Sequence, residues 1–370
     1  MRYRELGKTG VEVSALGFGC MRLPTLEEEG NPIDEKEAIR IIRLGIDNGI
    51  NYLDTAYGYH NGKSEELVGK ALKDGYRDLA YVATKLPLWS VNCEEDVDRI
   101  FNEQLSRLGV DYVDFYLLHA VNNESWETKV LKFGILEKIE KKIKEGKIKH
   151  FGFSFHDDLE VFKKIIDSYD GFEFCQIQFN YIDTDYQAGI EGLEYAASKG
   201  LGVIVMEPLL GGKLAQPHEK IKAQLGDDKT PVEWALDFVW NRPEVAMLLS
   251  GMGSEQMVTE NMGYADKAVP GMLSEQELEK LANAKAEFDK MTLVPCTGCE
   301  YCMPCPEGVL IPKVFAAYNK ISEGGRRLVK EIFPDIEYNA EKCKKCGKCV
   351  DACPQHIDIP QKLKEVKNQF

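Results

Sequence analysis

INYLDTAYGYHNGKSEELVGKALKDGYRDLAYVATK, residues 50–85, opens on one short apolar run, INYLD (50–54), and closes on another, AYVATK (80–85). Each has the length of a strand and ends in a polar residue, Asp54 or Lys85. The pattern continues: EEDVDRIFNEQLSRLG (94–109) has helical periodicity and leads into DYVDFYLLH (111–119), which ends in His119. Further strand candidates are ALGFG (15–19), KHFGFS (149–154), FEFCQIQFN (172–180), GVIVMEP (202–208) and AMLLSG (246–251). Helical stretches such as 35–49 and 230–242 lie between them. Strict strand–helix alternation indicates a parallel sheet with crossover helices. Eight such units close a barrel, and the span matches the roughly 250 residues typical of one. An open doubly wound sheet is the competing architecture, but no G-x-G-x-x-G follows the first strand. Residues 3–14 read as a hairpin around Gly7–Gly10, and 274–291 as a last helix before Pro295. The expected fold class is α/β: a (β/α)8 TIM barrel over 1–291, followed by a small, mostly helical module over 292–370.

That module holds eight of the eleven cysteines. Cys296, Cys299, Cys302 and Cys305 are followed by Pro306; Cys343, Cys346, Cys349 and Cys353 are followed by Pro354. CPEGVLIP (305–312) echoes CPQHIDIP (353–360), and each copy leads into a helix-like stretch, as a pseudo-symmetric repeat does. The second run follows the C-x2-C-x2-C-x3-C-P pattern of bacterial ferredoxins, whose thiolates hold cubane iron–sulfur clusters. The first run is one residue shorter before its last cysteine. In two-cluster ferredoxins the fourth cysteine of each run ligates the other cluster. That rule assigns Cys296, Cys299, Cys302 and Cys353 to one [4Fe-4S] cluster, and Cys343, Cys346, Cys349 and Cys305 to a second. Two zinc ions on C-x2-C pairs are the alternative. Cys20, Cys93 and Cys175 lie apart and read as inert thiols.

The net charge of −15 disfavours nucleic acid and anionic membrane surfaces as partners, and suits docking of a basic redox protein. No apolar run reaches the ~20 residues of a membrane helix, and the N-terminal MRYRELGKTGVEVS has no apolar signal core. The expectation is a cytoplasmic protein without a membrane partner.

In a parallel barrel the strand ends share one face, where barrel active sites lie. Asp54, Lys85 and His119 end three successive strands, and Tyr59 lies five residues after Asp54. With these residues and the stretch DTA…Y…GKSEELVG (54–69), residues 1–290 resemble the aldo-keto reductase superfamily, in a subgroup with a ferredoxin-like C-terminal extension. The resemblance implies that Asp54, Tyr59, Lys85 and His119 are the catalytic set. Carbonyl reduction needs hydride on carbon and a proton on oxygen. A free phenol, with a pKa near ~10, is a sluggish acid at neutrality, and a neighbouring ammonium stabilises its phenolate. Lys85 would be that ammonium, Asp54 its anchor, and His119 the residue that orients the substrate oxygen.

The resemblance also implies a nicotinamide cofactor, NAD(P)(H). Ser154 and Gln176 match residues on its carboxamide. Glu207, Leu209, Gly211 and Lys213 lie in the matching pyrophosphate loop, and Ser250, Gly251, Ser254 and Asn261 in the segment on the adenosine phosphate. Phe155 replaces a common Asn, and Met206 aligns with an aromatic that often stacks on nicotinamide. Gly251 and Met257 replace the Lys and Arg that often clasp a 2′-phosphate, leaving Lys213 or Lys267 as substitutes. Trp89 and Trp126 are aromatic candidates for the substrate pocket. The expected function is NAD(P)-dependent hydride transfer between nicotinamide and a carbonyl or alcohol. The clusters would exchange electrons with a ferredoxin or flavoprotein. A redox sensor or partner-binding protein that merely holds nicotinamide in the barrel is the alternative.

Overall fold

The computed structural model describes every residue except Glu29, and the backbone alone at 323 and 324. The chain forms two compact units, 1–208 with 233–274, and 209–232 with 275–370.

In the first unit, Tyr3–Glu5 (β1) pairs antiparallel with Glu12–Ser14 (β2). Eight parallel strands then follow in chain order: Leu16–Gly19 (β3), Tyr52–Asp54 (β4), Tyr81–Pro87 (β5), Val113–Val121 (β6), Ile148–Phe155 (β7), Phe174–Gln178 (β8), Gly202–Met206 (β9) and Val245–Gly251 (β10). Each pairs with its sequence neighbour, and β10 pairs with β3, which closes the barrel. The eight expected strands are all present. They are apolar throughout because closed parallel strands are buried on both faces. Tyr52, Ala83, Phe115, Leu117, Phe174, Ile204 and Met247 fill the interior, joined by Leu6 and Val13 from the hairpin segment.

The register lines up the functional rim. Gly19 sits beside Asp54 and Gly251, Lys85 beside Leu117, and Ser154 beside Gln176. At the end of β6 the pairing slips between Leu118 and Val121, where Ala120 adopts a φ of 54°. Ser154 Oγ accepts the Ala120 N–H at 2.8 Å and so ties down this irregular corner.

In the second unit, the helix Glu275–Met291 packs against Glu219–Leu225. Ion pairs Lys229–Glu277 and Lys280–Asp228, both 2.8 Å, join the two segments. The excursion 209–232 and helix 275–291 thus group with the cysteine-bearing segment. Both copies of the sequence echo start helices alike: Ile311–Asn319 and Ile359–Gln369 each carry Pro in the first turn, where its missing N–H is harmless. Val294, Val309, Val314, Phe315, Ile357 and Leu363 form this unit's own core. Among the described residues no helix is long and apolar enough to cross a membrane.

Candidate active site and cysteine cradle

Lys85 is the centre of the barrel site. Its side chain is wholly inaccessible, and its ammonium donates to Asp54 Oδ1 at 2.6 Å, Thr55 O at 2.9 Å and Tyr59 OH at 3.4 Å. An ammonium has three donors, and here each meets one acceptor. Asp54 Oδ2 accepts in turn from Gln176 Nε2 at 3.1 Å. A buried charge pair persists only when its remaining hydrogen-bonding capacity is satisfied, and Thr55 and Gln176 supply that here.

The backbone of Lys85 is fixed from behind. Gln104 Nε2 donates to Lys85 O at 2.9 Å and to Glu65 Oε1 at 2.9 Å, while Tyr116 OH donates to Gln104 Oε1 at 2.7 Å. Thr84 Oγ1 donates to Glu65 at 2.6 Å, and Arg107 pairs with it at 3.3 Å. Burial pushes the Glu65 carboxyl above its ordinary range against these bonds. The loop that carries Tyr59 is pinned next door: His60 and Asn61 have positive φ, and His60 Nε2 accepts the Leu23 N–H at 3.1 Å.

His119 is 4% exposed, with its ring 5.9 Å from that of Tyr59, edge to face, and 4.9 Å from Trp89. Burial holds its imidazole well below the ordinary histidine range, and the Lys85 charge adds to that. It is therefore a neutral group at physiological pH. Trp89 is 53% exposed beside it and can face a substrate. Trp126 cannot: it is buried at 1% exposure and packs on Phe172, so the expectation of a pocket role fails. Its helical setting gave no sign of which face turns inward.

At the end of β10, Asn261 Nδ2 donates to Ser250 Oγ at 3.1 Å, both residues buried, and Ser254 caps helix Glu255–Ala265 by accepting the Met257 N–H. At Gly251, where the family's Lys is missing, a Cβ would lie 3.1 Å from Arg22 Cβ, so the Arg22 stem runs beside this position. Lys267 is paired with Glu233 at 3.3 Å. Glu207, with a φ of 57°, is placed by Asn180, whose Nδ2 donates to its carbonyl at 3.0 Å.

In the second unit, Gly211 and Lys213 lie against the first cysteine run. Gly211 has a φ of 65°, and a Cβ there would fall 2.1 Å from Thr297 O, a contact only glycine permits. The Lys213 charge is felt by the Cys296 thiol. Cys296, Cys299, Cys302 and Cys353 line one cavity with Ile311, Phe315, Ile357 and Ile359. Burial, then repulsion from Cys299, Cys296 and Cys353, pushes the Cys302 thiol up to about 12. Cys349 is pushed up to about 11 by burial and by Cys343, Cys305 and Cys346. These are the two crossed sets expected from the ferredoxin pattern. Among the described residues no three His, Cys, Asp or Glu side chains converge to hold a single ion. A cage of thiolates spread around a cavity fits a multi-iron cluster, which gives each thiolate its own iron. Positive charge inside would also relieve the mutual repulsion.

Sequence reasoning missed Thr55, which contributes a backbone carbonyl, Glu65 with Gln104, which act from behind, and Arg22 beside Gly251. Only the apolar spacing within SEELVG hinted that Glu65 points inward.

The sequence model of the aldo/keto reductase family matches residues 15–284, and that of a 4Fe-4S dicluster domain matches 295–357. L-galactose dehydrogenase of Arabidopsis thaliana is 29% identical over 281 residues, covering 70% of this chain and 86% of the relative. The holo form of aldo-keto reductase AKR11C1 from Bacillus halodurans superposes with a TM-score of 0.64 at 27% identity, over 77% of this chain and 96% of that one. An aldo-keto reductase from Klebsiella pneumoniae in complex with NADPH gives 0.62 at 26% identity, over 76% and 94%.

Proposed function

Because the chain belongs to the aldo/keto reductase family and carries a 4Fe-4S dicluster domain, we propose that it is an NAD(P)-dependent oxidoreductase acting on a carbonyl or alcohol. The barrel module is assigned 1–291, the cluster module 292–370, and two [4Fe-4S] clusters link the protein to one-electron carriers. The observation that carries the barrel chemistry is the buried contact of Lys85 with both Asp54 and Tyr59.

The nicotinamide, when bound, supplies or accepts the hydride. Everything else falls to side chains. Tyr59 donates a proton to the substrate oxygen in reduction and takes it back in oxidation. Lys85 stabilises the phenolate that Tyr59 leaves behind, without needing to move, because Asp54 and Thr55 hold it. Neutral His119 donates or accepts a hydrogen bond at the substrate oxygen without competing as an acid. Trp89 covers the substrate's apolar part.

The rim fits the cofactor. Ser154 uses its oxygen on Ala120 N, and its hydroxyl proton has only a 3.5 Å contact with Leu118 O, so it can turn to a carboxamide. Gln176 keeps its Oε1 and one N–H. Ser250, Gly251, Ser254 and Asn261 would meet the adenosine phosphate, with Arg22 as the cation in place of the absent Lys. Glu207, Leu209, Gly211 and Lys213 are assigned to the pyrophosphate loop.

The crossed thiolate sets fit two clusters: Cys296, Cys299, Cys302 and Cys353 for one, Cys343, Cys346, Cys349 and Cys305 for the other. A bound cluster supplies one-electron storage. Steady-state turnover of a panel of aldehydes with NADPH and NADH tests the enzyme reading. Turnover that is lost in Tyr59→Phe, with cofactor affinity retained, supports it. No turnover in the parent protein leaves the sensor reading in its place.

A further inference from the structure

The two cysteine sets have unlike surroundings. The first cavity is walled by Ile311, Phe315, Ile357 and Ile359, and its member Cys353 is buried. In the second set Cys346 is exposed. It is interleaved with lysines: KCKKCGKCVD (342–351) carries Lys342, Lys344, Lys345 and Lys348 against one acid, Asp351. The first run, residues 296–308, carries Glu300 and Glu307 and no cation. Lys344, Lys345 and Lys348 are exposed and form no ion pair among the described residues. Lys342 lies 5.0 Å over the ring of Tyr338, which is 64% exposed. A chain of net charge −15 thus concentrates cations around the exposed cysteine of its second set.

From this we infer that the loop 342–348 is the docking face for an acidic one-electron carrier protein, and that the second cluster is the port through which electrons enter and leave. The inference rests on the cluster reading above. It reverses, at this face, the basic partner suggested by the overall charge. Long-range attraction depends on the charges within about one Debye length of the contact, ~8 Å at physiological ionic strength, rather than on the sum over the molecule. Exposed lysines provide steering, and the Tyr338 ring provides an apolar contact at their edge, as the aromatic centre of a transient interface does. In each transfer one electron passes between the cluster iron and the carrier's redox centre. One is oxidised by one unit as the other is reduced, and no bond is made or broken.

The test uses the full chain with its clusters, reduced by dithionite and mixed in stopped flow with cytochrome b5, an acidic acceptor, or cytochrome c, a basic one. Expected are faster transfer to cytochrome b5 at low salt, and a drop of about tenfold or more in that rate on raising ionic strength to ~0.2 M. Lys344→Glu, Lys345→Glu and Lys348→Glu together should slow cytochrome b5 by a further tenfold and speed cytochrome c. The glutamine versions should fall between, with iron content and cluster spectrum unchanged throughout. Rates that ignore salt and charge reversal, or a parent protein that prefers cytochrome c, overturn the docking face while the clusters stand. A chain with no reducible chromophore overturns both.

Discussion

Replacing Lys85 by methionine probes the centre of the site. The substitution keeps the length of the side chain and removes the charge. Asp54, 3% exposed, then holds a buried carboxylate whose remaining donor is Gln176. Removing one partner of a buried pair costs about 3–5 kcal/mol, because the other charge is left uncompensated. For a domain of this size each kcal/mol lowers Tm by about 2–4 °C, so the loss should be roughly 6–20 °C. The double variant Asp54→Asn with Lys85→Met removes the stranded charge and should recover most of that loss. Activity should behave differently. Both variants lack the ammonium beside Tyr59, and both should fall by about 10²–10⁴ in kcat. All four tryptophans, Trp89, Trp126, Trp234 and Trp240, belong to the first compact unit. Their fluorescence therefore reports the unfolding of this unit. A single variant as stable as the parent, or a double variant no more stable than the single, would refute the ion-pair reasoning. A double variant that regains turnover would refute the assignment of Lys85 to Tyr59.

Three further outcomes are expected. The depressed His119 means that the folded chain resists protonation there while the unfolded chain accepts it. The stability this group contributes is present above the unfolded pKa of ~6.5 and is lost as pH falls, by up to about 1.4 kcal/mol per pH unit. Urea unfolding at pH 7.5 and 5.5 should show a shallower decline in His119→Asn than in the parent, and equal declines would exclude the effect. Gly211→Ala puts a methyl group 2.1 Å from Thr297 O at a positive φ. It should lower iron per chain and the cluster absorbance while leaving the urea midpoint of the tryptophan-bearing unit unchanged; full iron content would show that the loop yields easily. Anaerobically purified protein should contain about eight irons per chain, and a value near four would mean that the shortened first run does not complete its site.

How much of this was legible before the structure follows from where each signal resides. Closed parallel strands are buried on both sides, so each one writes itself as an apolar run, and the polar residues that end three of the runs meet at one rim. Asp54, Lys85 and His119 could be found this way, and Tyr59 through the family resemblance of the stretch 54–69. The contacts that hold them could not. Glu65 and Gln104 are 39 positions apart, and Gln176 lies 122 positions from Asp54. Hydrogen bonds over such separations leave no periodic trace. The same holds for Gly211 and Thr297: the pair Gly211-Gly212 announces a tight turn, but not what the turn is pressed against. Arg22 was not legible beside Lys213 and Lys267 as a substitute for the absent Lys, because the chain after β3 and the end of β10 are neighbours only once the barrel closes.

Gln176 shows what such a distant contact adds to the chemistry. Asp54 is an acceptor only, so the Gln176 nitrogen, not its oxygen, must face Oδ2. That choice fixes the direction of Oε1, which then points away from the carboxylate as a ready acceptor for an amide N–H. One carboxylate therefore orients two groups: through Oδ1 it holds the ammonium beside the phenol, and through Oδ2 it sets which end of Gln176 the proposed nicotinamide carboxamide would meet. Proton transfer and hydride transfer must occur at adjacent atoms of one substrate. Under the proposed function, anchoring the proton donor's support and a cofactor contact on the same buried side chain would keep their separation constant and make Asp54 the shared reference point of the site rather than only a counter-ion.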